Sequence, residues 1–365
     1  MLLENIEIEH LKGIRKASVG PFTDVNVFIG RNGSGKSTIL DAIYIASAFV
    51  EEIDNFTGGR RINRVISRRT GRGSWDRSRD VLWYSMDIEK PITVSLRFYS
   101  DSRFEFYLLH SYNQVCLKLT DELKSELNTP EEWTLYDFIG KRPYNEKIKN
   151  WEGYHPSPGY ELELRYQGEL NFLKGVTLID DSILRNPAVI ERKVVSKLLS
   201  RRQDKLVVGL IREGYEVDAE SLTYLPVVGE EFTLAVVLTN TTIRLDDLGD
   251  GAQNAVLLAS ILVTLDNTMV LIEEPENHQH PGGLVKLLEF ILKTAKRKNL
   301  QLFITTHSIE LLKFMEKLTK GVGLKLRTFF VERSSDGIVE TRVIEPTDTE
   351  LLTKLGVDPR LLYIL

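Results

Sequence analysis

Apolar and charged positions alternate over residues 2–9, with Leu2, Ile6 and Ile8 spaced for one face, and this period of two predicts a strand. Val25-Asn26-Val27-Phe28-Ile29 reads as a buried strand by its β-branched and aromatic content. It stops at Gly30. From Ser37 to about Glu52 the period becomes helical, with Ile39, Leu40, Ile43 and Ala46 on one side. Alternation returns over residues 92–98 and 104–109, predicting antiparallel strands, and residues 224–227 and 232–237 predict a further strand pair. Residues 269–272 and 302–306 are short apolar runs of the kind that form buried strands. Residues 186–214 read as helical and basic. Residues 119–160 mix short helical patterns with Pro130, Pro143, Pro156 and Pro158 and carry no legible chemistry. No internal repeat or sustained heptad pattern is present, which argues against a long coiled coil.

Composition narrows the class. With 365 residues, 42% hydrophobic and 27% charged, the chain can bury a large core. No run approaches the roughly 20 apolar residues of a membrane span, and the alternating N-terminus lacks a signal peptide's apolar centre, so a cytoplasmic protein is expected. Its single cysteine, Cys116, forms no internal disulfide, in keeping with a reducing compartment. A net charge of −5 means that any contact with nucleic acid must come from a local patch.

The strongest chemical signal is Gly30-Arg31-Asn32-Gly33-Ser34-Gly35-Lys36-Ser37, followed by Thr38, which fits G-x-x-x-x-G-K-[ST] without a mismatch. Glycines let the backbone curl so that successive N–H groups face phosphate oxygens, and the helix behind adds its positive end. Lys36 is expected to reach the β and γ phosphates of ATP, and the Ser37 hydroxyl to ligate Mg²⁺.

The run 269–272 delivers Glu273-Glu274-Pro275-Glu276 at its C-terminal end. A buried strand ending in carboxylates is the second half of such a site: Glu273 is expected to hold Mg²⁺ through water and Glu274 to act as general base on the attacking water. Glutamate stands at the first position where aspartate is usual. His307, after the strand 302–306 and before a helix that Ser308 can cap, is expected to contact the γ phosphate. His278 and His280 suggest a metal site, but no Cys or further His stands close by, and a structural or interface role is the better expectation.

Leu248-Gly249-Asp250-Gly251-Ala252-Gln253 precedes an apolar helix (residues 255–265) and makes a second anion-binding helix end. One nucleotide site needs only one, so the second can serve a partner subunit's nucleotide. Here the chain resembles the ABC-type ATPases of the SMC, RecF and OLD branch, often labelled AAA-type ATPases. The resemblance runs from Ile6-Glu7-Ile8-Glu9-His10-Leu11-Lys12 through the phosphate loop, Leu248–Gly251, Glu273–His278 and Thr306-His307-Ser308 to Leu355-Gly356-Val357-Asp358-Pro359-Arg360. It implies an α/β P-loop NTPase, a two-lobed head with a mixed central sheet, an antiparallel sheet and a mostly helical middle insertion. The corresponding lobes are residues 1–118 and 223–365, with the insertion at 119–222. It also implies an ATP-dependent homodimer in which Gly249, Asp250, Gly251 and Gln253 of one protomer meet the γ phosphate held by Lys36 of the other. Lys12 would lie near the adenine or ribose, and a glutamine linking the lobes is expected, with Gln114 and Gln167 among the candidates. The long coiled coil of SMC proteins has no counterpart. Only 58 residues follow His307, without an Asp-x-Asp pair, so a bare head without the OLD nuclease domain is expected.

The leading functional expectation is an ATP-driven switch in DNA maintenance or anti-phage defence, acting alone or with a separately encoded effector or nuclease. The run Arg60, Arg61, Arg64, Arg68, Arg69, Arg72, Arg77 and Arg79 reads equally as a contact to the backbone of double-stranded DNA or as a solvated loop. The basic helices around residues 192–202 read as a solvated face. A transporter-energising subunit is opposed by the 213 residues between Lys36 and Gly249, about twice the compact transporter spacing, and by the absent Ser-Gly-Gly loop. A small-molecule kinase would leave the second glycine loop and His307 unexplained.

Overall fold

The structure, a computed structural model, describes residues 1–131, 133–144, 158–226 and 232–345. The segment Leu355–Arg360 named above lies outside the described residues. Strands β1 (Leu3–Leu11) and β2 (Ile14–Val19) form a hairpin through the Lys12-Gly13 turn, and β3 (Val25–Ile29) follows. Next come the phosphate loop and helix α1 (Lys36–Ser47), then helix α2 (Arg61–Ser67). Five strands succeed them: β4 (Ile92–Phe98), β5 (Arg103–Leu108), β6 (Val115–Lys118), β7 (Leu135–Asp137) and β8 (Arg142–Tyr144). After a helix at Pro158–Lys174 come β9 (Thr177–Ile179), a helix at Asp204–Tyr215, and β10 (Ala219–Pro226), β11 (Phe232–Leu238) and β12 (Thr242–Arg244). The last third alternates helix and strand and closes on a hairpin: helix Asp250–Val263, β13 (Met269–Glu273), helix Pro281–Lys298, β14 (Gln301–Thr305), helix Ile309–Val322, then β15 (Leu326–Arg333) and β16 (Ile338–Ile344).

Thirteen strands of the described residues form one mixed sheet in the order β8-β7-β6-β5-β4-β1-β2-β16-β15-β3-β14-β13-β9. The block β15-β3-β14-β13-β9 is parallel, whereas β2-β1-β4-β5-β6-β7-β8 is antiparallel throughout. Strand β16 joins them, antiparallel to β15 and parallel to β2. The strand pair read at residues 224–237 is β10 and β11, which with β12 make a separate three-stranded antiparallel sheet. Strand β9, inside the stretch read as an insertion, is an edge strand of the main sheet.

The alternating side chains of the parallel strands sort into two cores, one per face. Phe28, Leu271 and Phe303 pack with Ile39, Leu40 and Ile43 of α1. Val27, Ile29, Val270, Ile272 and Ile304 pack with the helices Asp250–Val263, Pro281–Lys298 and Ile309–Val322. On the α1 face Phe22 meets Phe28, Phe303 and Phe329 edge-on, with ring centroids 5.0–6.3 Å apart. This burial on both faces explains the largely apolar runs of β3, β13 and β14. The loops beyond the C-terminal ends of these strands are free to carry polar chemistry, and that is where the crevices of open α/β sheets lie.

Candidate functional site

The phosphate loop leaves the end of β3 and turns into α1. Gly30 sits at φ +154°, where an added Cβ would meet the carbonyl oxygen of Val331 at 2.3 Å, and Gly35 caps α1 at φ +105°. A side chain at either place would break the curl. Lys36 folds back into its own loop, its Nζ donating to the carbonyl oxygens of Gly30 (2.8 Å) and Arg31 (2.9 Å). Burial pushes its ammonium down to about 8, while Glu274 and Glu273 favour the charge. The buried Ser34 Oγ has no hydrogen-bond partner among the described residues.

Register brings the carboxylates and the histidine to this loop. Strand β14 lies between β3 and β13, with Thr305 opposite both Phe28 and Glu273. Glu274 follows in the left-handed region (φ 49°), its N–H donating to the Thr305 carbonyl at 3.0 Å. Its carboxylate reaches His307, Oε1 to Nε2 3.1 Å, and accepts from Asn277 Nδ2 at 3.2 Å. Backbone strain at a carboxylate over-determined in this way is of the kind found at working sites. Glu276, not singled out by the sequence, is half-buried beneath them. It accepts from Thr306 Oγ1 (2.5 Å) and the His307 N–H (3.1 Å), and burial raises its carboxyl above the usual range. Lys12, Gly33, Lys36, Ser37, Glu273, Glu274 and His307 all line one cleft of about 770 Å³, together with Asn32, Ser34, Gly35 and Thr38. Lys12, in the turn between β1 and β2, is tied inward to Asp41 Oδ2 (2.7 Å) and the Val65 carbonyl (3.1 Å).

The arginine run corrects an expectation. Arg61–Ser67 is a helix, and Arg61, Arg64 and Arg68 point inward. Arg64 pairs with Asp54 Oδ2 (3.1 Å) and Asp180 Oδ1 (3.2 Å); Arg68 pairs with Asp41 Oδ1 (2.9 Å), Asp180 Oδ2 (3.4 Å) and Glu273. Burial opposes the Arg68 charge, yet the carboxylates around it hold its pKa above normal; Arg68 and Lys12 likewise hold buried Asp41 low. Arg64 and Arg68 are therefore held in internal ion pairs, and Arg61 is buried beside them, donating to Ser47 Oγ and the Lys174 carbonyl, so these three are not part of a solvated loop. The spacing 61, 64, 68 on one helical face was the available signal. Arg69 and Arg72 remain exposed, and Arg69 Nη2 stands 3.6 Å from Glu273 Oε1.

Gly249, Asp250, Gly251 and Gln253 do not line the cleft. They begin the helix Asp250–Val263, with Asp250 largely exposed. Gly251 is pressed against the turn after β13: an added Cβ would meet the His278 carbonyl at 2.7 Å, and Gln279 Nε2 donates to the Gly251 carbonyl at 3.0 Å. His278 faces Asp250 (3.7 Å) and Asp181 (4.0 Å), and His280 caps the helix Pro281–Lys298 through Gly282, so both serve local structure. No glutamine lines the cleft. Gln301 ties β1 to β14, accepting from the Leu3 N–H and donating to the Leu3 carbonyl (both 2.8 Å), but at the end of β14 opposite His307.

Residues 25–313 match the family described as "AAA domain, putative AbiEii toxin, Type IV TA system". The chain belongs to this family. An ATP/GTP phosphatase of Helicobacter pylori is 21% identical to this AAA-domain chain over 337 residues, covering 87% of the chain and 89% of the relative. The DNA replication and repair protein RecF of Shewanella frigidimarina is 26% identical over 186 residues, 51% of the chain and 46% of RecF. The solved structure of the Smc head bound to the C-winged helix domain of ScpA has the same fold (TM-score 0.54, 12% identity, 95% of this chain and 99% of that one). The AAA-domain chain is an ABC-type ATPase of the SMC and RecF branch. Among its described residues no helix is long and apolar enough to cross a membrane.

The cleft suits nucleotide and Mg²⁺ by its donor set. Backbone turns at Gly30–Gly35 and the orphaned Ser34 hydroxyl face anion chemistry, and the Ser37 hydroxyl with Glu273 offers hard oxygen donors. No cluster of three or more His, Cys, Asp or Glu suited to a metal occurs among the described residues.

Proposed function

We propose that this protein is an ATP-hydrolysing switch that closes as a homodimer around two ATP molecules, in DNA maintenance or in defence against phage. The observation that carries the reading is the convergence of Lys36, Ser37, Glu273, Glu274 and His307 on one cleft from three adjacent parallel strands. In this reading Lys36 leaves the carbonyls of Gly30 and Arg31 for the β and γ phosphates, and the N–H groups of Gly33 to Thr38 cradle them. Ser37 and, through water, Glu273 hold Mg²⁺, which when bound neutralises charge on the phosphate oxygens. Glu274 takes a proton from water as its oxygen bonds to the γ phosphorus and the bond to the bridging oxygen breaks, giving ADP and phosphate. His307, oriented by Glu276 beneath it and by Glu274 beside it, contacts the γ phosphate.

The dimer is supported by the position of Gly249–Gln253 away from the cleft of their own chain, on a helix end whose first residue is exposed. The switch's two lobes would be residues 1–118 and 223–365, with residues 119–222 between them. A DNA role is supported by the RecF relatives; a separately encoded effector is the second reading, favoured by the inward turn of Arg61, Arg64 and Arg68. ATP turnover with and without duplex DNA at near-physiological salt separates the two. Stimulation that weakens as salt rises supports DNA, and turnover indifferent to DNA favours the effector. Absence of turnover under both conditions would overturn the hydrolase.

A further inference from the structure

Arg68 closes α2 and has 1% of its side chain exposed, yet it touches three segments far apart in the chain. Its Nε donates to Asp41 on α1, and its Nη1 reaches both Asp180, after β9, and Glu273, at the end of β13. Its Nη2 is buried without a hydrogen-bond partner among the described residues. Three distant segments are thus tied together by one guanidinium, bonded to the carboxylate assigned above to the metal.

Space surrounds α2. Val65, Ile66, Arg69 and Thr70 face the phosphate-loop cleft, and a second cavity of about 340 Å³ lies behind, against Asn63, Ser67, Ser182 and Asn186. The helix thus lies between two openings, while Ile62, Val65 and Ile66 anchor its inner side in the core. Asp180 extends the connection, because its Oδ1 accepts from the Ile183 N–H (3.2 Å) and so caps the helix Asp181–Leu184, whose Asp181 faces His278.

We propose that Arg68 is a latch: it holds Glu273 against α1 and the segment after β9, and metal loading with nucleotide requires it to let go. A guanidinium and a divalent cation compete for the same carboxylate. Release removes one cation from Asp180 and so transmits loading to α2 and to Asp181–Leu184. Arg68 is a positioning residue. The proposal rests on the reading of Glu273 as a metal ligand.

The test is a MgCl₂ titration of the binding of a fluorescent ATP analogue to the full chain. Glu273→Gln should raise the Mg²⁺ needed for half-saturation; if it does not, the metal reading itself fails and the latch with it. Arg68→Gln should lower that Mg²⁺ requirement about tenfold, leave binding without Mg²⁺ unchanged, and have no effect when combined with Glu273→Gln. Arg68→Lys should fall between Arg68→Gln and the wild type. An unchanged or higher requirement in Arg68→Gln, beside an effect of Glu273→Gln, overturns the latch alone. So does a gain that persists in the double variant, because it would reflect general charge. Should Arg68→Gln fail to fold, hydrogen exchange on the wild type decides. Residues 61–71 should exchange faster with ATP and Mg²⁺ than with ATP and a chelator, and equal exchange overturns the proposal.

Discussion

His307 Nε2 lies 3.1 Å from Glu274 Oε1, and the His307 N–H donates to Glu276 Oε1 at the same distance. One histidine is thus fixed at its ring by Glu274, the first carboxylate beyond β13, and at its backbone by half-buried Glu276. In the proposed mechanism, proton acceptance by Glu274 and phosphate contact by His307 would depend on a shared geometry. Glu274→Gln keeps the shape and removes the proposed base. It should bind ATP, lower kcat by about a hundredfold or more, and accumulate dimers in light scattering. Turnover at the wild-type rate would refute the base assignment.

Lys36→Ala removes the ammonium folded into the loop's curl, along with the bonds that now close it on Gly30 and Arg31. ATP binding by calorimetry should be lost while the melting temperature changes little, because Lys36 contributes nothing to the apolar core. Retained ATP binding would remove Lys36 from the site.

The loop proposed to face a partner is best probed at Gly249. Any side chain at Gly251 strikes the His278 carbonyl, so Gly251→Asp would disturb the monomer as well. Gly249 has ordinary φ (−61°) and nothing within 4 Å of an added Cβ. Gly249→Asp in the Glu274→Gln background should leave ATP binding intact and abolish the nucleotide-dependent dimer. Undiminished dimer would refute the trans role.

Arg64 compensates Asp54 and Asp180 deep below the cleft. Arg64→Met keeps volume but leaves both carboxylates short of a partner, so the protein should lose about 3–5 kcal/mol, read as a lower denaturant midpoint. A change within experimental scatter would mean that the network is not structural.

Burial raises the Glu276 carboxyl, so the folded chain binds its proton more tightly than the unfolded chain does. Its contribution is complete below the ordinary carboxyl range and lost as pH rises through the folded value. The melting temperature of Glu276→Gln relative to wild type should therefore climb between about pH 4.5 and neutrality. A flat or falling difference would contradict the raised value.

The sequence by itself determined whatever is local. The phosphate loop, the strand ending at Glu273 and Glu274, and the strand before His307 are contiguous, and each carries its chemistry in a run of a few residues. An all-apolar strand followed by polar residues already says that both sheet faces are covered and that the polar group lies at the end. Tertiary structure decided which distant groups meet. Arg68 reaches Asp41, Asp180 and Glu273 across separations of 27, 112 and 205 residues, and no periodicity encodes such pairings. The arginines looked like a solvated basic loop because the carboxylates that neutralise them arrive from α1, β9 and β13 once the parallel strands assemble. A charge is buried when its partner is buried with it, and the partner is chosen by the sheet order.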